Sequence, residues 1–180
     1  MSEHSFELQA SGQAHEYLDL DWAMFGELCR ALALKVARDY DPEVIIGIER
    51  AGVIPAAVVA SILDVEFFSL KIGRKGDEQV RQRPEIFSAV PRQVEGKRVL
   101  IVDEITTSGD TMRLALAAVR SAHAAEVRTA TSFARTTGYQ PDYSALSMDA
   151  EVVFPWDRQV FEDDQLVANP RYRGLLEDEE

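Results

Sequence analysis

From Val99 the chain reads Val99-Leu100-Ile101-Val102-Asp103-Glu104-Ile105-Thr106-Thr107-Ser108-Gly109-Asp110-Thr111. Four apolar residues deliver two adjacent carboxylates, and a hydroxyl-rich turn with one glycine follows. Carboxylate oxygens are hard ligands that suit sugar hydroxyls and Mg²⁺. Backbone N–H groups and hydroxyls wrapped around a helix start suit a phosphate monoester. Side by side, the two make a site for a phosphorylated sugar. Capping by Ser108 or Asp110 would account for the turn alone. It does not account for two neighbouring acids, whose repulsion calls for a cation or hydrogen-bond donors. No Gly-Lys-Ser/Thr closes the turn, so it is not a P-loop.

The elements that must position these groups follow from periodicity. Asp21 to about Tyr40 carries an apolar face at helical spacing, with Asp21 as N-cap, and Asp41-Pro42 breaks it. Cys29 lies on that face with Phe25, Leu28, Leu32 and Val36, so it reads as core. Val44-Ile45-Ile46-Gly47-Ile48 is a short apolar run, as expected of a strand covered on both faces. Glu49-Arg50-Ala51-Gly52 turns the chain into a helix over Val53–Leu63, with Pro55 tolerated in its first turn. Val65–Leu70 and Lys97–Val102 read as strands, Gly109–His123 as helix and Glu126–Ala134 as strand; Glu151–Phe154 adds another. Between them Ile72–Val94 has no clear period and reads as a long functional loop, its centre compatible with a strand pair. Alternating strands and helices predict an α/β fold: a mostly parallel sheet flanked by helices, with ligands at the carboxyl ends of the strands.

Composition narrows the function classes. The 180 residues suit one domain, and a net charge of −12 disfavours general nucleic-acid binding. Charge is uneven, however: Lys71 to Arg98 holds eight basic residues against four acidic ones. Acid gathers at Glu162-Asp163-Asp164 and at the terminal Glu177-Asp178-Glu179-Glu180, a tail that reads as a solvated, frayed end. No apolar run reaches membrane-spanning length, the first residues lack a leader's basic and apolar regions, and one cysteine cannot form an internal disulfide. A cytoplasmic protein is expected. His4, His15 and His123 fall in no triad or metal spacing, and no Gly-x-Ser-x-Gly elbow is present, which disfavours hydrolases.

The apolar run, acid pair and hydroxyl–glycine turn together resemble the phosphoribosyl-diphosphate (PRPP) signature of type I phosphoribosyltransferases. In pattern the chain is similar to the xanthine–guanine and hypoxanthine enzymes, over roughly residues 20 to 160. The resemblance implies that Thr106, Thr107, Ser108, Gly109, Asp110 and Thr111 hold the 5-phosphate, with Gly109 at positive φ. It implies that Asp103 and Glu104 are the catalytic acids, accepting from the ribose 2- and 3-hydroxyls and placing Mg²⁺. Glu49, Arg50, Ala51 and Gly52 resemble the family's diphosphate loop, which often carries a cis peptide before its basic residue, here Glu49–Arg50. Lys71, Arg81 and Arg83 are further candidates for diphosphate contacts on a loop that closes over the site.

Thr131-Ser132-Phe133-Ala134-Arg135, with Pro141-Asp142-Tyr143 and Phe154-Pro155-Trp156-Asp157, resembles the family's base-holding region. Arg135 stands where a lysine contacts the purine O6, and Phe154, Trp156 or Tyr139 would supply the stacking aromatic. Two positions depart from the pattern. Thr107 replaces an aspartate that handles the purine N7 proton in many of these enzymes, and the usual stacking aromatic falls near Glu151. The resemblance implies a Mg²⁺-dependent transfer of phosphoribosyl from PRPP to a nucleobase, a 6-oxopurine, by a homodimer or larger assembly without nucleic-acid or membrane partners. The alternative is a PRPP-sensing regulator of the same fold. The implied layout is one domain over 1–180: a core over about 20–135, a base-binding hood over about 136–160 and an acidic tail over 161–180.

Overall fold

The computed structural model describes residues 9–10, 16–74, 83–172 and 175. Arg81, His4, His15 and the acidic run at 177–180 lie outside the described residues. The chain groups into two compact units, Gly26–Met148 and Met1–Phe25 with Asp149–Glu180.

In chain order the elements are β1 (Gln9–Ala10), β2 (Glu16–Asp19), α1 (Trp22–Ala37), β3 (Val44–Glu49), α2 (Val53–Leu63), β4 (Glu66–Gly73) and β5 (Glu85–Ile86). Then follow β6 (Arg98–Thr106), α3 (Asp110–Ser121), β7 (Glu126–Ala134), β8 (Tyr143–Ser147), β9 (Glu151–Val153), β10 (Gln159–Glu162) and β11 (Gln165–Ala168). A six-stranded sheet in the order β5-β4-β3-β6-β7-β8 dominates the larger unit. Its pairings from β4 to β8 are parallel, and only the β4–β5 edge is antiparallel.

β3 and the apolar stretch of β6 have no polar side chain until their last residues, because both faces are covered. On one face α3 buries Met112, Ala115 and Val119, at helical spacing, among Ile46, Ile48, Val99, Ile101 and Leu70. Gly47 lies under α2, where a Cβ would stand 2.8 Å from the Ala56 Cβ, so only glycine lets that helix approach. α1 starts as expected, with Met24 N–H donating to Asp21 Oδ1 at 2.7 Å. Cys29 is fully buried with Leu32 and Val36.

Strand order sets where ligands go. From β3 the chain crosses to β4 on one side, then resumes at β6 on the other side of β3. The carboxyl ends of β3 and β6 thus flank a topological switch point, the usual ligand crevice of open α/β sheets. Glu49–Gly52 leaves β3 there, and Asp103–Thr111 leaves β6 there.

Several boundaries differ from expectation. β6 does not stop at Val102 but continues to Thr106, because Asp103, Ile105 and Thr106 still pair with Thr131, Phe133 and Ala134 of β7. Ladder hydrogen bonds outweigh the polar composition there. β4 runs on to Gly73 because Ile72 and Gly73 pair with Ile86 and Glu85. α1 ends at Ala37, and Tyr40 turns back so that its hydroxyl donates to the Val99 carbonyl at 2.9 Å. α3 spans Asp110–Ser121, with Gly109 as its cap and His123 beyond it at φ 62. β8 was not expected, its five residues being too few to declare a period; it extends the main sheet along β7.

In the smaller unit β9 is the expected strand at 151, but it pairs in parallel with β2, in the sheet β1-β2-β9. Tyr17, Val153 and Tyr172 form its core, and the Tyr172 hydroxyl donates to Asp157 Oδ2 at 2.9 Å. Asp163 (φ 48) and Asp164 (φ 61) form the two-residue tip of the β10–β11 hairpin. Positive φ at both tip residues matches the right-handed strand twist, and aspartate tolerates it.

Candidate functional site

Two loops and an acid pair converge at the switch point. The first loop follows β3. Its Glu49–Arg50 peptide is cis, as the resemblance implies. The Ser69 hydroxyl of β4 donates to Glu49 Oε1 at 2.6 Å, which tethers the first acid of the loop. Arg50 is exposed, and the N–H groups of Ala51 and Gly52 have no backbone acceptor among the described residues. Those N–H groups and the α2 N-terminus behind them favour an anion. Lys71 sits in register with Glu49 and is exposed. Its backbone is held by the segment after β5, Phe87 N–H donating to Lys71 O at 2.8 Å and Lys71 N–H to Ser88 Oγ at 2.9 Å.

The acid pair occupies the far end of β6. Asp103 is 9 % exposed, and its Oδ1 accepts from the Glu104 N–H at 3.0 Å. Burial is the main reason its carboxyl is held well above the usual range, with the neighbouring Glu104 carboxyl adding to the effect. Gly52 lies directly against it: a Cβ there would stand 2.6 Å from Asp103 Oδ1 and 2.9 Å from its Cα. The acid and the first anion-binding loop are in van der Waals contact, and glycine permits it.

The second loop is the turn into α3. Gly109 takes φ +78, as expected. The N–H groups of Ser108, Gly109, Thr111 and Met112 have no backbone acceptor among the described residues, so the turn presents a ring of donors. Thr107 and Ser108 are exposed and Thr111 is half-buried, whereas Thr106 is buried. The Ser108 hydroxyl donates to Asp110 Oδ2 at 3.0 Å, and Arg113 Nη1 lies 3.4 Å from Asp110 Oδ1. Asp110 thus spends its side chain on the turn and on Arg113, leaving its place at the helix start, rather than its carboxylate, to favour an anion.

The Thr106, Thr131 and Ser132 hydroxyls are buried without a hydrogen-bond partner among the described residues. Thr131 stands opposite Asp103 in the β6–β7 register. The polar run Thr131-Ser132 hinted at a special place in β7, but only the register sets it beside the acid pair. Among the described residues no cluster of three or more His, Cys, Asp or Glu side chains forms a closed metal site. Two carboxylates that leave coordination positions for substrate oxygens suit Mg²⁺, which keeps most of its shell from water and phosphate.

The base-holding candidates fall into both units. Arg135 follows β7, and its N–H donates to the Thr106 carbonyl at 3.2 Å, which sets it beside the 107–111 turn. Phe154 and Trp156 belong to the smaller unit, stacked at 4.7 Å with an 18° interplanar angle, and Phe25 meets Trp156 edge-on at 4.9 Å. Phe154 is buried as the platform beneath Trp156. Trp156 is half-buried and lines a cavity of about 550 Å³ with Pro155, Arg158 and Leu166. Glu151 pairs with Arg171 at 3.1 Å. Tyr139 turns its ring onto Gly109, under the Arg113 guanidinium at 5.2 Å from the ring centroid.

A parallel α/β sheet with two anion-receiving loops and an acid pair between them at the switch point defines a class of sugar-phosphate-binding protein. The chain belongs to the phosphoribosyl transferase domain family, whose model matches residues 20–164. It is 29 % identical over 118 residues to the xanthine-guanine phosphoribosyltransferase of Cereibacter sphaeroides, covering 63 % of this chain and 68 % of that one. With the enzyme of the same name from Nitratidesulfovibrio vulgaris it shares 27 % identity over 143 residues, 77 % of this chain and 83 % of that one. The crystal structure of the purine phosphoribosyltransferase from Pyrococcus horikoshii superposes with a TM-score of 0.71 at 30 % identity, covering 82 % of this chain and 99 % of that one.

Proposed function

We propose that the protein transfers the 5-phosphoribosyl group of PRPP to a purine base, a 6-oxopurine, with release of diphosphate. The apposition of Gly52 and Asp103 carries this reading, since it sets the backbone donors of the 49–52 loop against acids suited to ribose hydroxyls. The 107–111 turn receives the 5-phosphate. Arg50, Lys71 and the Ala51 and Gly52 N–H groups receive the diphosphate. Arg135, beside the turn, donates to the base. Asp103 and Glu104 would hold Mg²⁺, which supplies charge neutralisation to the departing diphosphate.

In the reaction a base nitrogen forms a bond to C1 of the ribose as the C1–O bond to diphosphate breaks, the electron pair leaves with diphosphate, and the imidazole N–H proton of the base passes to solvent. Positive charge develops on the ring in between, so placement and electrostatics provide most of the acceleration. The acids fix the hydroxyl face of the ribose, and the phosphate turn fixes its other end. Arg83, at the edge of the segment 75–82, is a further diphosphate candidate. A cytoplasmic location and a homodimer or larger assembly belong to the same proposal. No described helix is long and apolar enough to cross a membrane.

The decisive experiment follows diphosphate release from PRPP with Mg²⁺ against guanine, xanthine, hypoxanthine, adenine, orotate and uracil. Turnover with 6-oxopurines, abolished in the double variant Asp103→Asn/Glu104→Gln, is the expected result. Binding of PRPP without turnover of any base would replace this reading with that of a PRPP-sensing regulator.

A further inference from the structure

Beyond the Ser108–Asp110 hydrogen bond, the direction of the donors in the 107–111 turn depends on what holds its carbonyls. A trans peptide plane points its C=O and N–H in opposite directions, so fixing one fixes the other. Two consecutive planes of the turn are fixed in this way. The Tyr139 N–H donates to the Thr107 carbonyl at 3.1 Å, which sets the Ser108 N–H. Arg113 Nη1 donates to the Ser108 carbonyl at 2.7 Å, which sets the Gly109 N–H.

The two donors are themselves coupled. The Arg113 guanidinium lies over the Tyr139 ring at 5.2 Å, within cation–π range. The ring presses on Gly109 so closely that a Cβ there would stand 2.2 Å from the Tyr139 Cβ and 2.4 Å from its Cγ. Gly138, at φ +105, brings the segment down onto the turn, and a Cβ on it would stand 2.4 Å from the Thr107 carbonyl oxygen. At its far end the Tyr139 hydroxyl lies 3.3 Å from Thr129 Oγ1, which donates to Asp142 Oδ2 at 2.8 Å.

We propose that Tyr139 and Arg113 are positioning residues that lock the two peptide planes of the phosphate turn with their N–H groups ready for the 5-phosphate. This inference rests on the proposed function and deepens it. Without the lock, binding would have to pay for turning the peptides, and affinity would fall at that turn alone.

The test compares ribose 5-phosphate, which needs the turn, with inorganic diphosphate, which goes to the 49–52 loop, by calorimetric titration beside steady-state kinetics. In Arg113→Ala, which removes the donor to the Ser108 carbonyl, ribose 5-phosphate affinity should fall about tenfold and the KM for PRPP should rise similarly; Tyr139→Ala keeps its backbone N–H, loses only the ring packed on Gly109, and should weaken ribose 5-phosphate in the same direction. Diphosphate affinity should stay within about twofold, and Tyr139→Phe, which keeps the ring, should bind ribose 5-phosphate as the wild type does. Equal weakening of both ligands, or weakening of neither, overturns the lock. Where Tyr139→Ala does not fold, Arg113→Ala decides alone, since the Arg113 side chain is 56 % exposed. A wild-type protein that fails to bind ribose 5-phosphate overturns the functional reading itself, and the lock with it.

Discussion

Replacing Gly52 by alanine isolates the contact on which the site is built. Gly52 has an ordinary φ of −62, so alanine meets no backbone strain. The whole effect is steric, because the new methyl carbon would stand 2.6 Å from Asp103 Oδ1, 2.7 Å from the Ile48 carbonyl oxygen and 2.9 Å from the Asp103 Cα. Two of these neighbours are backbone and cannot swing aside. Loop and strand must separate by roughly half an ångström or more, and overpacking of this kind costs about 1–3 kcal/mol. Each kcal/mol lowers Tm by roughly 2–4 °C in a chain of this size. Thermal melting should therefore shift down by several degrees. Activity should suffer more, since misplacing reacting groups by about 1 Å costs on the order of a hundredfold in rate.

Gly26→Ala is the matched control. It lies inside α1 with nothing within 4 Å of a new methyl. Helix propensity there favours alanine by about 0.5–1 kcal/mol, so stability should rise while activity holds. Diphosphate release and differential scanning fluorimetry on both variants read the outcome. Gly52→Ala with turnover within twofold of wild type would show that the 49–52 loop and Asp103 do not work as one constellation.

Burial pushes the Cys29 thiol up to about 12; native protein at pH 8 should therefore resist a thiol reagent and react only once unfolded, and prompt labelling would contradict the core assignment. Asp21→Ala removes the acceptor of the Met24 N–H and should cost about 1 kcal/mol, visible as a reduced urea midpoint at unchanged slope. The Glu43 carboxyl is held below its ordinary value, chiefly by the Arg98 N–H and then by Lys97. A depressed carboxyl contributes stability above its unfolded value and loses it as pH falls through the folded one. Glu43→Gln should flatten the acid limb of a stability-versus-pH profile, and an unchanged limb would show that the pairing adds nothing.

The features legible in the residue order alone are those whose signal is local. Val99–Thr111 reads as strand, acids, turn and helix start because each part is announced by adjacent residues. The glycine at positive φ, the strand at 44 and the helix at 53 are legible for the same reason. Asp21 marks its helix start and Cys29 its core face through spacing alone.

Register and contacts between residues distant in the chain emerge only on folding. β6 runs past its apolar stretch because β7 lies beside it, and that same pairing sets Thr131 opposite Asp103. Gly52 meets Asp103 across 51 positions because β3 and β6 are neighbours at the switch point. Tyr139, one of several candidate aromatics by composition, is spent on Gly109 and Arg113 because Gly138 folds the chain back over the turn. β2 and β9 pair across more than a hundred residues, and no periodicity in either short segment announces it. Local propensity chooses the elements, whereas sheet order and close approach choose which of their ends share a site.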